Sequence, residues 1–192
     1  MSLEQFKDFK YVSPVMNKNN SNVKFDRITD DTIQVVGTND RYLPINKAEI
    51  DRGRNLSASD NTYRSRVAVL GSDMAIKFFG FTNPVGEEIK VEGLSYKVIG
   101  VIKPKGQNIN NTSIDSVILL PLETARRDFK LGRIQTTYAE ATSAADVDNA
   151  QKIMIGYLIS KFKSESGISV LNQNQMLTTA NTVASSLNNL LI

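Results

Sequence analysis

Arg66-Val67-Ala68-Val69-Leu70-Gly71-Ser72-Asp73-Met74-Ala75-Ile76-Lys77-Phe78-Phe79-Gly80 is the stretch on which the fold turns. Its first six residues read as a compact buried strand ending on glycine, with Val67 to Leu70 the apolar run. Ser72 then reads as the cap of a short helix with Met74, Ala75, Phe78 and Phe79 on one side, stopped by Gly80. Downstream, Asn83-Pro84-Val85-Gly86 is a turn and Glu88-Ile89-Lys90-Val91-Glu92 a strand turning at Gly93. Its partner runs from Leu94 to Lys103, with Val98, Ile99, Val101 and Ile102 around Gly100. Residues 104–116 read as a long exposed loop. Val117-Ile118-Leu119-Leu120-Pro121 reads as a strand closed by proline, and Leu122 to Phe129 as a helix.

Upstream the pattern is weaker. Residues 46–60 lack a regular period, and Gly37 to Pro44 is a loop. Val23 to Ile28 and Thr32 to Gly37 pair as a hairpin turning at Thr29-Asp30-Asp31, and residues 17–22 (Asn-Lys-Asn-Asn-Ser-Asn) are a polar turn. The spacing of Leu3, Phe6 and Phe9 predicts a short helix running into an extended segment before Pro14. Toward the other end, Ile134 to Ala141 alternates as a strand, and Ser143-Ala-Ala-Asp146 resembles a capping box. The helix after it carries Val147, Ala150, Met154, Tyr157, Leu158 and Phe162 on one face, with Gly167 as its stop and Ile168–Leu171 as a short strand.

Composition excludes whole classes of chemistry. The 192 residues contain no Cys and no His. Ser-His-Asp and Cys-His nucleophiles and the common structural zinc sites are therefore impossible. Neither a G-x-G-x-x-G nor a P-loop glycine pattern occurs. Asp146-Val147-Asp148-Asn149 is explained by helix capping rather than calcium, and Ser160-Lys161-Phe162-Lys163 lacks the partner motifs that an S-x-x-K nucleophile needs. Asp30-Asp31, Glu87-Glu88 and Asp51 could form carboxylate pairs, but two of these sit at predicted turns and a general acid/base pair needs a cleft, so nothing positive supports an enzyme. The sequence predicts no catalytic residue, no cofactor and no metal. The net charge of +3 comes from 23 basic and 20 acidic residues that are interspersed, so nucleic acid is not an expected partner. No signal peptide and no run of 18 apolar residues is seen. Met1-Ser2-Leu3 reads as an expression-vector start, so the chain is expected to be a piece excised from something larger.

From Ser166 to Ile192 there is no charged residue. Within this segment Leu177, Ala180, Ala184, Leu187 and Leu191 follow a 3, 4, 3, 4 spacing, the seam of a helix. Two readings stand open on this feature: a terminal helix packed on its own domain, or a stalk leading to a membrane or a partner helix.

Gly53-Arg54, Asp60, Val67 to Gly71, Phe79-Gly80, Pro84-Val85-Gly86, Ile89, Gly93, Val98-Ile99-Gly100-Val101 and Pro121-Leu122 follow one another in an order that resembles the extracytoplasmic core domain of MacB/FtsX-type ABC transporter permeases. Val12-Ser13-Pro14-Val15 and Val35-Val36-Gly37-Thr38 extend the likeness to the flanks. The resemblance implies an α+β fold with two lobes. A porter-like α/β lobe would come from 1–45 and 134–192, and a β-rich lobe from 46–133 would be inserted into it. It further implies a non-catalytic domain on the outer face of the membrane, coupling ATP-driven motion to export or to the handling of partners and substrates. The partners implied are a cytoplasmic ABC ATPase, a second permease copy, and an adaptor or exported peptide or protein. An alternative is the ligand-sensing domain of an antimicrobial-peptide resistance permease. The loop residues Lys105, Gln107, Asn108 and Asn110 are the expected partner contact, and the charge-free seam is the expected stalk.

Overall fold

Alternation along Val117–Pro121 sets the centre of the molecule. Ile118 and Leu120 face one core, Val117 and Leu119 the other, and all five residues of the strand are buried. A strand apolar on both faces needs cover on both faces. The computed structural model describes residues 7–106, 113–162, 169, 170 and 172. It contains strands β1 (Phe9–Phe25), β2 (Ile28–Thr38), β3 (Ile50–Gly53), β4 (Val67–Leu70), β5 (Glu88–Val91), β6 (Leu94–Ile102), β7 (Val117–Pro121) and β8 (Thr136–Ala141). Helices are α1 (Tyr42–Ile45), α2 (Ala58–Thr62), α3 (Ser72–Phe79), α4 (Leu122–Asp128) and α5 (Val147–Phe162). The fold class is α+β.

The eight strands lie in the order β2-β7-β4-β6-β5-β1-β8, with β3 on β6. β2–β7 and β4–β6 are parallel, while β1–β2, β1–β5, β5–β6, β3–β6 and β4–β7 are antiparallel. Because β1 pairs with β2 as well as β5, the path from β2 to β1 returns on itself. Two clusters fill the space on either side. One joins Val23, Val35, Leu70, Ile89, Tyr96, Val98, Ile118 and Leu120 to Met74, Ala75, Phe78 and Phe79 of α3. The other joins Val15, Val36, Val69, Ile102 and Leu119 to Leu43, Leu56 and Ile114.

The chain divides into two compact units, Tyr11–Ala139 and Met1–Lys10 with Glu140–Ile192. In the second unit, α5 buries Ala150 and Met154, and Gln151 donates to the Val170 carbonyl at 3.3 Å.

Several expectations change. Residues 17–22 are not a turn: β1 runs through them as a 17-residue strand, passing Pro14, with register irregularities on both sides of Ser21. The Ser21 side chain is buried and donates to the Lys18 carbonyl at 3.2 Å, which satisfies it inside the bulge. The hairpin turns at Asp26-Arg27 instead of Thr29-Asp30-Asp31, with Phe25 opposite Ile28. Asp30 is engaged otherwise, accepting from the N–H and hydroxyl of Thr32, both at 2.7 Å, and from the Lys77 ammonium. The irregular stretch 46–60 contains β3 and the start of α2. Ser72 does not cap α3: Gly71 occupies that position, and the Ser72 hydroxyl is buried without a protein partner. The loop at 104–116 is not exposed throughout, because Ile114 and Asp115 are buried in a single 3-10 turn. Residues 7 and 8 form a turn and Phe9 begins β1, so the end of the predicted first helix is not helical; residues 1–6 lie outside the described residues. Of the predicted strand Ile168–Leu171 only Ser169 and Val170 are described, neither in a strand.

Candidate functional site

Three polar constructions in the larger unit hold its surface loops in place. The first is built on Gly53 and Gly100. Where β3 meets β6, a Cβ on Gly53 would lie 2.2 Å from the Ile99 carbonyl oxygen, and one on Gly100 would lie 2.3 Å from the Arg54 carbonyl oxygen. Gly53 also has φ +80°, a conformation that side chains disfavour. This close approach aims Arg54 back over α2. Its guanidinium donates to both carboxylate oxygens of Asp60, at 2.7 and 3.1 Å. Ser57 and Asp60 form a capping box across the start of α2. Burial alone would raise the Asp60 carboxyl, but the Arg54 guanidinium and the Ser57 hydroxyl and N–H outweigh it and lower it. Asn55 donates to the Asp40 carbonyl and Asn61 to the Thr38 carbonyl, tying this corner to the end of β2.

The second is the base of the loop at 104–116. The buried Asp115 carboxylate accepts from the Lys105 N–H at 3.1 Å and the Gly106 N–H at 2.6 Å, while Ser113 caps the Asp115 N–H. Gly71 makes room, since a Cβ there would lie 2.1 Å from the Asp115 carbonyl oxygen. The Lys105 ammonium donates to the Asn46 carbonyl. Gln107, Asn108 and Asn110 lie outside the described residues, as do Leu177, Ala180, Ala184, Leu187 and Leu191. Sequence reasoning missed Asp115; only the Ser-x-Asp spacing of 113–115 hints at it.

The third is centred on Asp128 at the end of α4. Its side chain is only 3% exposed, yet it accepts from Arg66 at 2.9 and 3.3 Å, Arg127 at 2.6 Å and the Tyr96 hydroxyl at 2.9 Å. Burial pushes this carboxyl up, and the two guanidinium groups and the phenol overcome that and hold it well below the usual carboxylate range. Burial and the Asp128 charge raise Tyr96 in turn. Beside this hub, Arg64, Glu123, Arg126, Arg127, Lys130 and Leu131 line an open depression of about 310 Å³. Among the described residues no cluster of three or more Asp, Glu, Cys or His could hold a metal. No helix among them is long and apolar enough to cross a membrane.

A family model described as MacB-like periplasmic core domain matches residues 1–157. The chain belongs to that family. It is thus an extracytoplasmic domain of a MacB-like ABC transporter permease. It is 30% identical over 126 residues to a macrolide export ATP-binding/permease protein MacB of Chlorobium luteolum, covering 65% of this chain and 19% of that protein. It is 26% identical over 148 residues to the ABC transporter permease YknZ of Bacillus subtilis, covering 77% of this chain and 36% of the permease. The MacB-like domain therefore spans about a fifth to a third of these relatives. Its fold matches the periplasmic region of MacB from Actinobacillus actinomycetemcomitans with a TM-score of 0.81 at 18% identity, over 93% of this chain and 79% of that one. It also matches the extracellular domain of YknZ from Gram-positive bacteria with a TM-score of 0.75 at 22% identity, over 88% and 85%.

Proposed function

We propose that this MacB-like domain transmits motion. In this reading a cytoplasmic ABC ATPase drives a homodimeric permease, and the outer domain converts the movement into export or the handling of an adaptor or an exported peptide or protein. The domain binds and moves, and carries out no reaction of its own.

The observation that supports this is the clamp between the two segments through which the chain enters and leaves its smaller unit. Thr142 donates through its N–H to the Asp8 carbonyl at 3.0 Å and through its hydroxyl to the Lys7 carbonyl at 2.8 Å. Asn149 donates to the Asp8 carboxylate at 2.8 Å, and Lys10 pairs with Glu140 at 3.5 Å. We read the domain as inserted between two consecutive membrane helices, the placement that the family resemblance implies, and such an insert needs this joint. Without it, displacement of one stalk would be absorbed by chain flexibility instead of moving the domain.

The finer parts of this reading are the lobes and the contact residues. The proposed lobes are 1–45 with 134–192, and 46–133; the compact units divide the chain elsewhere, after Lys10 and after Ala139. Lys105, Gln107, Asn108 and Asn110 are the proposed partner contact, on a loop whose base Asp115 anchors. Leu177, Ala180, Ala184, Leu187 and Leu191 are the proposed stalk seam.

The test uses the intact permease with its ATPase in lipid nanodiscs. The chain has no Cys, so Lys24→Cys on β1 gives one spin label per outer domain. Distances between the two labels are measured without nucleotide and in the ATP-trapped state. Coupling predicts that the distance distribution shifts by several ångströms, and that breaking the clamp with Thr142→Ala and Lys10→Glu reduces the shift. A distribution unchanged by ATP refutes the reading.

A further inference from the structure

We propose that the depression between the C-terminal end of α2 and helix α4 binds an anion carrying two or more phosphate or phosphodiester groups. The inference goes beyond the motion-transmitting role and does not depend on it.

Both helices end in the same way. At α2, the Arg64 N–H donates to the Asn61 carbonyl at 3.2 Å and the Ser65 N–H to the Asp60 carbonyl at 2.9 Å. At α4, the Leu131 N–H donates to the Arg126 carbonyl at 3.1 Å. These are the bonds of helix ends closed by one left-handed residue. Glycine is the usual occupant of that position, because a Cβ there crowds the following carbonyl. Here Arg64 (φ 51°) and Lys130 (φ 53°) occupy it instead. Cations are favoured near a helix C-terminus, which offsets part of the cost. That effect does not require the two ends to converge. Yet Arg64 and Lys130 line one depression, and the end of α2 is held on the start of α4, where the Glu123 N–H donates to Asn61 at 3.3 Å and the Thr124 hydroxyl donates to the Ser65 carbonyl at 3.0 Å.

The result is a surface lined by four cations and one carboxylate, Glu123. Arg126 reaches Glu123 only at 3.5 Å, and Arg127 spends its Nε on Asp128. The capping bonds take up the Asp60, Asn61 and Arg126 carbonyls, which would otherwise face an anion unpaired. Three guanidinium groups and an ammonium, approaching from two helices, suit a ligand whose oxygens point in several directions. A single carboxylate would satisfy one fork; a chain of phosphates reaches several.

The left-handed positions supply a clean test. Arg64→Gly/Lys130→Gly removes two cations and places glycine where the backbone prefers it, so folding is preserved. Inorganic tripolyphosphate is titrated into the 192-residue chain by calorimetry and amide NMR at low salt. Flotation with phosphatidylglycerol and with phosphatidylcholine vesicles separates a lipid headgroup from a free phosphate. We expect tripolyphosphate to shift amides around 64 and 126–130, and the double variant to bind about tenfold more weakly with no loss of Tm. Glu123→Gln tightens binding. The control Lys24→Ser/Lys90→Ser removes the same charge from β1 and β5 and leaves affinity within about twofold. Three results overturn the site: neither probe binds, the glycine variant binds like wild type, or the control loses as much affinity. Added flotation with phosphatidylglycerol alone marks the headgroup as the source; tripolyphosphate binding without it marks a free anion.

Discussion

Asp128 carries a negative charge into a nearly dry position, and only its three donors make that tolerable. Asp128→Ala strands the Tyr96 hydroxyl, whose residue is fully buried, and leaves Arg66 and Arg127 facing each other. The cations themselves are about half exposed, so water recovers part of the loss. We expect a cost of about 2–3 kcal/mol in urea unfolding, chiefly from charge-assisted hydrogen bonds and the orphaned phenol. Glycines give the sharper contrast at this scale. Gly71→Ala would drive a methyl group to 2.1 Å from the Asp115 carbonyl oxygen, while Gly132→Ala meets nothing within 4 Å. The first should destabilise by about 3 kcal/mol or more and the second by less than about 0.5 kcal/mol. A Gly71→Ala protein with wild-type Tm would mean that the loop base is not anchored on β4. The sequence marks Gly71 as the end of a strand, but says nothing of what presses on it. The Asp115 backbone arrives from 44 residues away, and no local pattern encodes that approach.

Elements differ in how openly they are written. The segments β4, α3, β5, β6, β7 and α4 follow from local periodicity and glycine punctuation, because each buries a regular stripe of its own residues. β1 does not. Asn17 to Asn22 is as polar as any turn, and it is held extended by its pairing with β2, with a bulge at Ser21, by Gln135 on the Asn17 backbone and by Glu92 on the Asn22 backbone. Helix α2 is the other hidden element, with five residues and a single apolar position, Ala58, so periodicity cannot announce it. What makes it a helix is its start. The Ser57–Asp60 box was readable by the same rule that singles out Ser143 to Asp146, and Arg54 clamps the same carboxylate. Ser57→Ala should therefore cost about 1 kcal/mol and raise hydrogen exchange selectively at α2 and Arg64 to Ser65. Uniform exchange across the chain would show instead that α2 is held by its neighbours and not by its cap.

For the whole molecule, the missing histidines become a statement about pH. With His absent, no side chain has an ordinary pKa between about 5 and 8, and the stability profile should be flat there. The acid side is different. Asp30 is pulled down to about 2, first by the Lys77 ammonium and then by the Thr32 hydroxyl and N–H. Asp60 and Asp128 are lowered as well, their donors outweighing burial. A carboxylate whose folded pKa lies below its unfolded value of about 4 binds fewer protons in the folded state, so its contribution is complete above that value. It is lost as pH falls through the folded pKa. The urea midpoint should hold from about pH 8 to about pH 5, then fall steadily toward pH 2 as the three ion pairs are protonated. Asp128→Ala should flatten part of that limb, because one of the three linked groups is gone. A midpoint that changes mainly between pH 6 and 7 would contradict this account, since nothing in this composition titrates there without a large shift.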